Sequence, residues 1–144
     1  MRSNDEPRVR GDMEQRLFVD VDDTLIRAVV DDGQIHPYAF WRCPYRVNEP
    51  LVEYVKQFRR DHPEALIVIW SGGGADYARA AVAALFGFDY DCAPMVKDRT
   101  TFGLVREWDI VVDDQRICTA ERYELRVRAP VLHPDDPEIT GECI

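Results

Sequence analysis

Apolar residues along this chain follow two rhythms: short unbroken runs that end in acid or serine, and longer stretches spaced as on a helix. Leu17-Phe-Val-Asp20 is a short apolar run closed by an acid, the pattern of a strand covered on both faces. Ala65-Leu-Ile-Val-Ile-Trp70 repeats the pattern and runs into Ser71-Gly72-Gly73-Gly74, and Ile110-Val-Val112 repeats it before Asp113-Asp114. Between the runs, a helix is predicted from Asn48-Glu-Pro50, with proline at an early helical position. It puts Leu51, Val55 and Phe58 on one face and stops at His62-Pro63. A second helix is predicted over Ala75 to Phe86, where Ala78, Ala81, Val82 and Leu85 form the stripe and Gly87 the cap. Weaker signals predict a hairpin over Ile26 to Ile35 turning at Asp32-Gly33, a strand over Cys92 to Val96, a short helix over 115–122 and a last strand over Glu124 to Ala129. Strands alternating with helices imply an α/β domain, a doubly wound parallel sheet with right-handed crossovers.

Composition narrows the class. At 144 residues with 46% apolar side chains the chain has the size and the content for one domain with its own core. The expected organisation is a polar lead-in over 1–15, a domain body over 16–129 and an extended tail over 130–144, rich in proline and acid. A net charge of −9 argues against a protein that holds nucleic acid or anionic membrane by charge alone. The longest apolar run, 65–70, falls far short of the roughly twenty residues that span a bilayer. Residues 1–10 are polar, without the apolar core of a signal peptide, so a cytoplasmic location is expected. Cys43, Cys92, Cys118 and Cys143 are scattered, without zinc spacing, and read as reduced thiols.

The candidate chemistry sits where the runs end. In open parallel sheets ligands bind outside the carboxyl ends of the strands. Here those ends carry Asp20-Val-Asp22-Asp23-Thr24, Ser71 and Asp113-Asp114. Acids converging from neighbouring strand ends repel one another unless a cation lies between them, and hard carboxylate oxygens suit magnesium. Lys97, placed before the last acidic strand, could neutralise a transferring phosphoryl group.

On these residues the chain resembles the haloacid dehalogenase-like hydrolase superfamily, mostly magnesium-dependent phosphatases of Rossmann-like fold. The family's DxDxT motif is matched by Asp20-Val-Asp22-Asp23-Thr24, its strand-ending Ser or Thr by Ser71, its lysine by Lys97 and its paired acids by Asp113-Asp114, in family order. The resemblance implies that Asp20 is the nucleophile, forming an aspartyl-phosphate, and that Asp22 is the general acid and then base. It implies a magnesium ion held by Asp20, the main-chain oxygen of Asp22, Asp113 and Asp114, and phosphoryl oxygens bound by Ser71 and Lys97. Amides of Gly72 to Gly74 near a helix N-terminus could extend that cradle, Gly72 first. The 26–35 hairpin would be the family's flap. Asp23 stands where the family commonly has glycine. Neither the stretch from 26 to 48 nor that from 72 to 96 leaves room for a cap domain. An uncapped site goes with large phosphorylated substrates or with a second subunit closing the cleft, which leaves a homo-oligomer open.

His36 to Arg46 interleaves Tyr38, Trp41, Arg42 and Arg46 in an otherwise acidic chain. Aromatics with arginines stack bases and pair phosphates, so the segment is a candidate platform for a nucleotide or nucleic-acid end, or else a loop packed on the core. Its spacing is also similar to that in the phosphatase half of bacteriophage polynucleotide kinases. The expected function is therefore phosphomonoester hydrolysis, with a nucleic-acid 3′-phosphatase or nucleotidase as the near alternative. A receiver-like phospho-acceptor is the alternative of another class. It predicts paired acids first and the phosphorylated Asp on a middle strand, whereas here the middle strand ends in Ser71. An inactive binding module on the same fold is the remaining alternative, and retention of every chemical group disfavours it.

Overall fold

The computed structural model of the chain describes residues 14–30, 32–34, 36, 38–115 and 127–142. Five strands, β1 (Leu17–Asp20), β4 (Ile67–Ser71), β5 (Ala93–Val96), β6 (Ile110–Val112) and β7 (Val131–Leu132), form one parallel sheet. Two more, β2 (Ile26–Ala28) and β3 (Tyr45–Val47), form a separate antiparallel ribbon. The described α-helices are α1 (Ala39–Arg42), α2 (Glu49–Asp61), α3 (Ala75–Leu85) and α4 (Pro137–Thr140), with one 3-10 turn at Phe102–Leu104.

The unbroken apolar runs are explained by two cores. Successive side chains of a strand point to opposite faces, so a strand covered on both sides needs no polar positions. Leu17, Val19, Ile67, Ile69 and Val112 face the larger core, and Phe18, Val68, Trp70 and Val111 the smaller. Helices α2 and α3 close the larger core with Leu51, Val55, Phe58, Tyr77, Ala81 and Val82. Phe102, Val105, Val127 and Ala129, from the connections after β5 and β6, close the smaller one. The strands expected over 17–20, 65–70, 92–96 and 110–112 and both long helices lie within two residues of their expected positions.

The sheet order is β5-β4-β1-β6-β7. From β1 the chain steps outward to β4 and β5, then crosses back to β6 and β7 on the other side, so the winding reverses at β1. The crevice outside the carboxyl ends of β1 and β6 is therefore the place where an open α/β sheet accommodates a ligand. The expected α/β class and parallel sheet are present.

Three expectations need correction. The ribbon does not turn at Asp32-Gly33: β2 pairs with β3, with Ile26 opposite Val47 and Ala28 opposite Tyr45. A local turn does exist, with Gly33 at φ 72° and the Asp32 carboxylate accepting from the Gln34 amide, but it lies inside the longer connection that carries α1. The last strand is Val131–Leu132 rather than 124–129. Val127 and Ala129 bury their side chains in the smaller core without joining a ladder, while 124–126 and the helix expected over 115–122, beyond Gln115, lie outside the described residues. The segment from 130 is not an extended tail, because β7 extends the sheet and Ile139 of α4 is buried in the larger core. The lead-in is described only at residues 14 and 15. Among the described residues Cys43 and Cys92 are free thiols, and no helix is long and apolar enough to cross a membrane.

Candidate active site

Strand register brings the acids together. Val19 pairs with Val112, so Asp113 leaves β6 level with Asp20 at the end of β1, on strands that run about 4.8 Å apart. Asp20 pairs with Trp70 on the other side, which sets Ser71 one residue beyond it, and Ser71 pairs with Val96. The Lys97 amide then donates to the Ser71 carbonyl at 2.8 Å, so the lysine side chain starts beside the serine. Asp20, Ser71 and Asp113 are buried.

The Lys97 ammonium donates to Asp20 Oδ1 at 3.0 Å and to Asp113 Oδ2 at 2.9 Å. The Gln115 amide donates to Asp113 Oδ1 at 2.9 Å. Thr24 Oγ1 accepts from the Asp114 amide and lies 3.0 Å from Asp20 Oδ2 and 3.1 Å from Asp114 Oδ1. A hydroxyl has one hydrogen, so Thr24 serves only one of these two carboxylates at a time. Three acids thus share one positive charge, with only one hydroxyl hydrogen and the Gln115 amide as further donors. Like charges about 4 Å apart cost on the order of 4 kcal/mol in a partly screened protein site, so the imbalance is not a small one.

The proton affinities record it. Burial first, and then Asp113, push the Asp20 carboxyl well above the usual carboxylate range, with Lys97 opposing them. Burial raises Asp113 too, against the pull of Lys97. Burial alone would lower Lys97, but Asp20 and Asp113 outweigh it and hold the ammonium charged. At the mouth, Asp23 is raised by partial burial and by Asp114 and Asp22. Asp23 adopts φ 60°, the left-handed region that glycine takes most easily and that aspartate tolerates better than most residues.

Asp20, Asp113 and Asp114 each offer a carboxylate oxygen within 4.8 Å of the others. Two oxygens bound to a small hard cation at about 2.1 Å stand at most about 4.2 Å apart, so the cluster fits such an ion after contracting by about half an ångström. The donor set, all carboxylate oxygen, is the kind that hard divalent cations prefer.

Asp22 does not join this cluster through its side chain. It turns toward α3, where Asp22 Oδ1 accepts from the Tyr77 hydroxyl at 2.8 Å and from the Ala39 amide at 3.1 Å. Burial and the bond to Asp22 raise the Tyr77 phenol, which stays protonated. The loop carrying Asp22 and Thr24 is fixed from below by Asn48, the cap of α2. Its Nδ2 donates to the Thr24 carbonyl at 3.0 Å and its backbone amide to the Leu25 carbonyl at 2.8 Å. The Asn48 Oδ1 also accepts from the Leu51 amide, a cap worth about 1 kcal/mol.

Of the glycine amides expected to form a cradle, two turn inward. Gly73 donates to Ser71 Oγ at 2.9 Å and Gly74 to the Ser71 carbonyl at 3.1 Å. The Gly72 amide has no acceptor among the described residues, and the Ser71 hydroxyl, accepting from Gly73, keeps its own hydrogen to donate. A Cβ at Gly73 would stand 2.8 Å from the Tyr38 ring and 3.2 Å from that of Tyr77, so a side chain there would push the Tyr38 ring from its place.

The expected aromatic platform is divided. Tyr38 and Trp41 pack edge-on against Tyr77, with centroids 5.5 and 4.9 Å away, and the Trp41 side of this group faces solvent with 58% of the residue exposed. Arg42 is exposed at the end of α1. Arg46 sits on β3 opposite Arg27, in a groove of about 400 Å³ shared with Asn48, Glu49 and Asp135, a lining that includes none of the clustered acids. Ala39 is buried, so part of the segment does pack on the core. Tyr77 was not foreseen, because it lies among the small residues of α3 and reads as one more apolar position of that stripe. Its signal is an aromatic hydroxyl in the first turn of a helix that follows a strand end.

No family model, characterised protein or solved structure matches the chain.

Proposed function

We propose that the chain is a magnesium-dependent phosphomonoester hydrolase of the haloacid dehalogenase-like superfamily, with Asp20 as nucleophile and Asp22 as general acid and base. One observation carries the reading. Asp20, Ser71, Lys97, Asp113 and Asp114 meet at the carboxyl edge of adjacent parallel strands, where the winding reverses.

Asp20, Asp113 and Asp114, with the main-chain oxygen of Asp22, would hold the metal. Bound there, magnesium offsets the carboxylate repulsion and draws charge from a phosphoryl oxygen. The Ser71 hydroxyl, the Gly72 amide and the Lys97 ammonium bind the remaining phosphoryl oxygens. An Asp20 oxygen attacks phosphorus, the bond to the ester oxygen breaks, and Asp22 gives that oxygen its proton. Asp22 then takes a proton from water, whose oxygen attacks phosphorus and frees Asp20 as inorganic phosphate leaves.

A second reading narrows the substrate to nucleotides or nucleic-acid ends, including 3′-phosphates. It is favoured by the exposed Trp41 ring beside the tyrosine that holds Asp22.

The test is hydrolysis of an aryl phosphate. Activity should require added magnesium, stop with chelator, and fall by about 10⁴-fold or more in Asp20→Asn. Turnover surviving that substitution overturns the proposal.

A further inference from the structure

Tyr77 is buried in the first turns of α3. Its hydroxyl accepts the Phe40 amide at 3.1 Å, so its single hydrogen is committed to Asp22 Oδ1. The Ala39 amide donates to the same oxygen. One oxygen of Asp22 therefore carries two donors, while no donor among the described residues reaches the other. The ring is held as firmly as the hydroxyl. Tyr38, in the left-handed region at φ 59°, Trp41 and Phe40 all abut it edge-on, and the Tyr38 ring also lies against Gly73. A phenylalanine would fill the same space, so packing does not account for the hydroxyl.

We infer that Tyr77 is a positioning residue that, together with the start of α1, fixes Asp22 through Oδ1 and leaves Oδ2 as the oxygen that hands its proton to the leaving group. The inference rests on the general-acid reading of Asp22.

The test is kcat/KM for phosphate esters of graded leaving-group basicity, which reports transfer to Asp20 whichever later step limits turnover. An alkyl phosphate needs protonation as it leaves and 4-nitrophenyl phosphate hardly does. Tyr77→Phe should lose about 10- to 100-fold on the alkyl ester and no more than about three-fold on the nitrophenyl ester. Asp22→Asn should show the same gradient more steeply. An equal loss on every ester, or none, with Asp22→Asn still graded, overturns the role of Tyr77 alone and leaves it a structural bridge to Phe40. A flat Asp22→Asn series overturns the acid assignment and the role of Tyr77 with it. Should Tyr77→Phe fail to fold in a thermal melt, Tyr38→Gly decides in its place. It suits the left-handed backbone, removes the ring that packs edge-on against Tyr77, and should give a shallower gradient of the same sign; a flat series overturns the inference.

Discussion

Asp109 and Asp113 flank the two ends of β6, both buried, and the chain treats them in opposite ways. Asp109, at the amino edge of the sheet, accepts from the Arg16 amide at 3.1 Å, from Arg16 Nε at 3.2 Å and Nη2 at 2.7 Å, and from the Arg106 amide at 2.7 Å. It has a guanidinium fork of its own and donors on both oxygens, the arrangement that makes a buried carboxylate structurally inexpensive. Asp113, at the carboxyl edge, shares one ammonium with Asp20 and has Asp114 beside it. The comparison separates two kinds of buried acid. One has its charge answered by the fold and locks β6 to the start of β1; the other is left short of positive charge where a ligand can supply it.

Breaking the answered end should have the largest effect on stability. Asp109→Ala leaves Arg16 and two amides without their acceptor and should cost about 3 kcal/mol in urea unfolding, while kcat of the folded fraction is unchanged. A cost within error of zero would show that the Arg16 fork does not hold the two strands together.

The unanswered end should respond to cation instead. Magnesium at a hundred times its dissociation constant should stabilise the wild-type chain by about 2.7 kcal/mol and Asp113→Asn much less. Equal shifts in the two proteins would place the ion elsewhere. Without metal, Asp113→Asn should itself be more stable than wild type, by about 1 kcal/mol, because it leaves Lys97 paired with Asp20 and removes a neighbouring like charge.

The smallest effect is its pH dependence. Asp20 and Asp113 are raised in the folded chain, so between their unfolded and folded values the folded state holds more protons than the unfolded one. Stability is therefore fully present below the unfolded value and declines as pH rises through that window. The melting midpoint of the metal-free wild type should fall relative to Asp113→Asn by a few degrees between about pH 4 and 7. A gap that widens as pH falls contradicts the assignment.

The two ends also differ in how legible they were in the sequence. Asp20, Ser71, Lys97 and Asp113 were readable because each closes or follows an apolar run, and a parallel sheet aligns such ends whatever else the chain does. Asp109 carries no such mark, since its partner Arg16 is distant in sequence and only strand register brings them together. Tyr77 was hidden for a related reason, as its role depends on α1 folding back over α3. The hairpin was misplaced because Asp32-Gly33 does make a local turn, whereas the partner of Ile26–Ala28 is chosen by the packing of Phe40 and Tyr45 on the larger core. The polar composition after Pro130 concealed Leu132 and Ile139, two apolar residues that bind the segment to the body.

The central claim is that Asp20 receives the phosphoryl group, and trapping it tests this most directly. On the proposed mechanism Asp22→Asn keeps the nucleophile but lacks the base that activates water, so with magnesium and an aryl phosphate of good leaving group it should accumulate phosphoenzyme. Acid quenching and peptide mass spectrometry should then find one phosphoryl group on the peptide bearing Asp20, and none in the Asp20→Asn, Asp22→Asn double variant. A phosphoryl group on Ser71, or none while the wild type turns over, would contradict it.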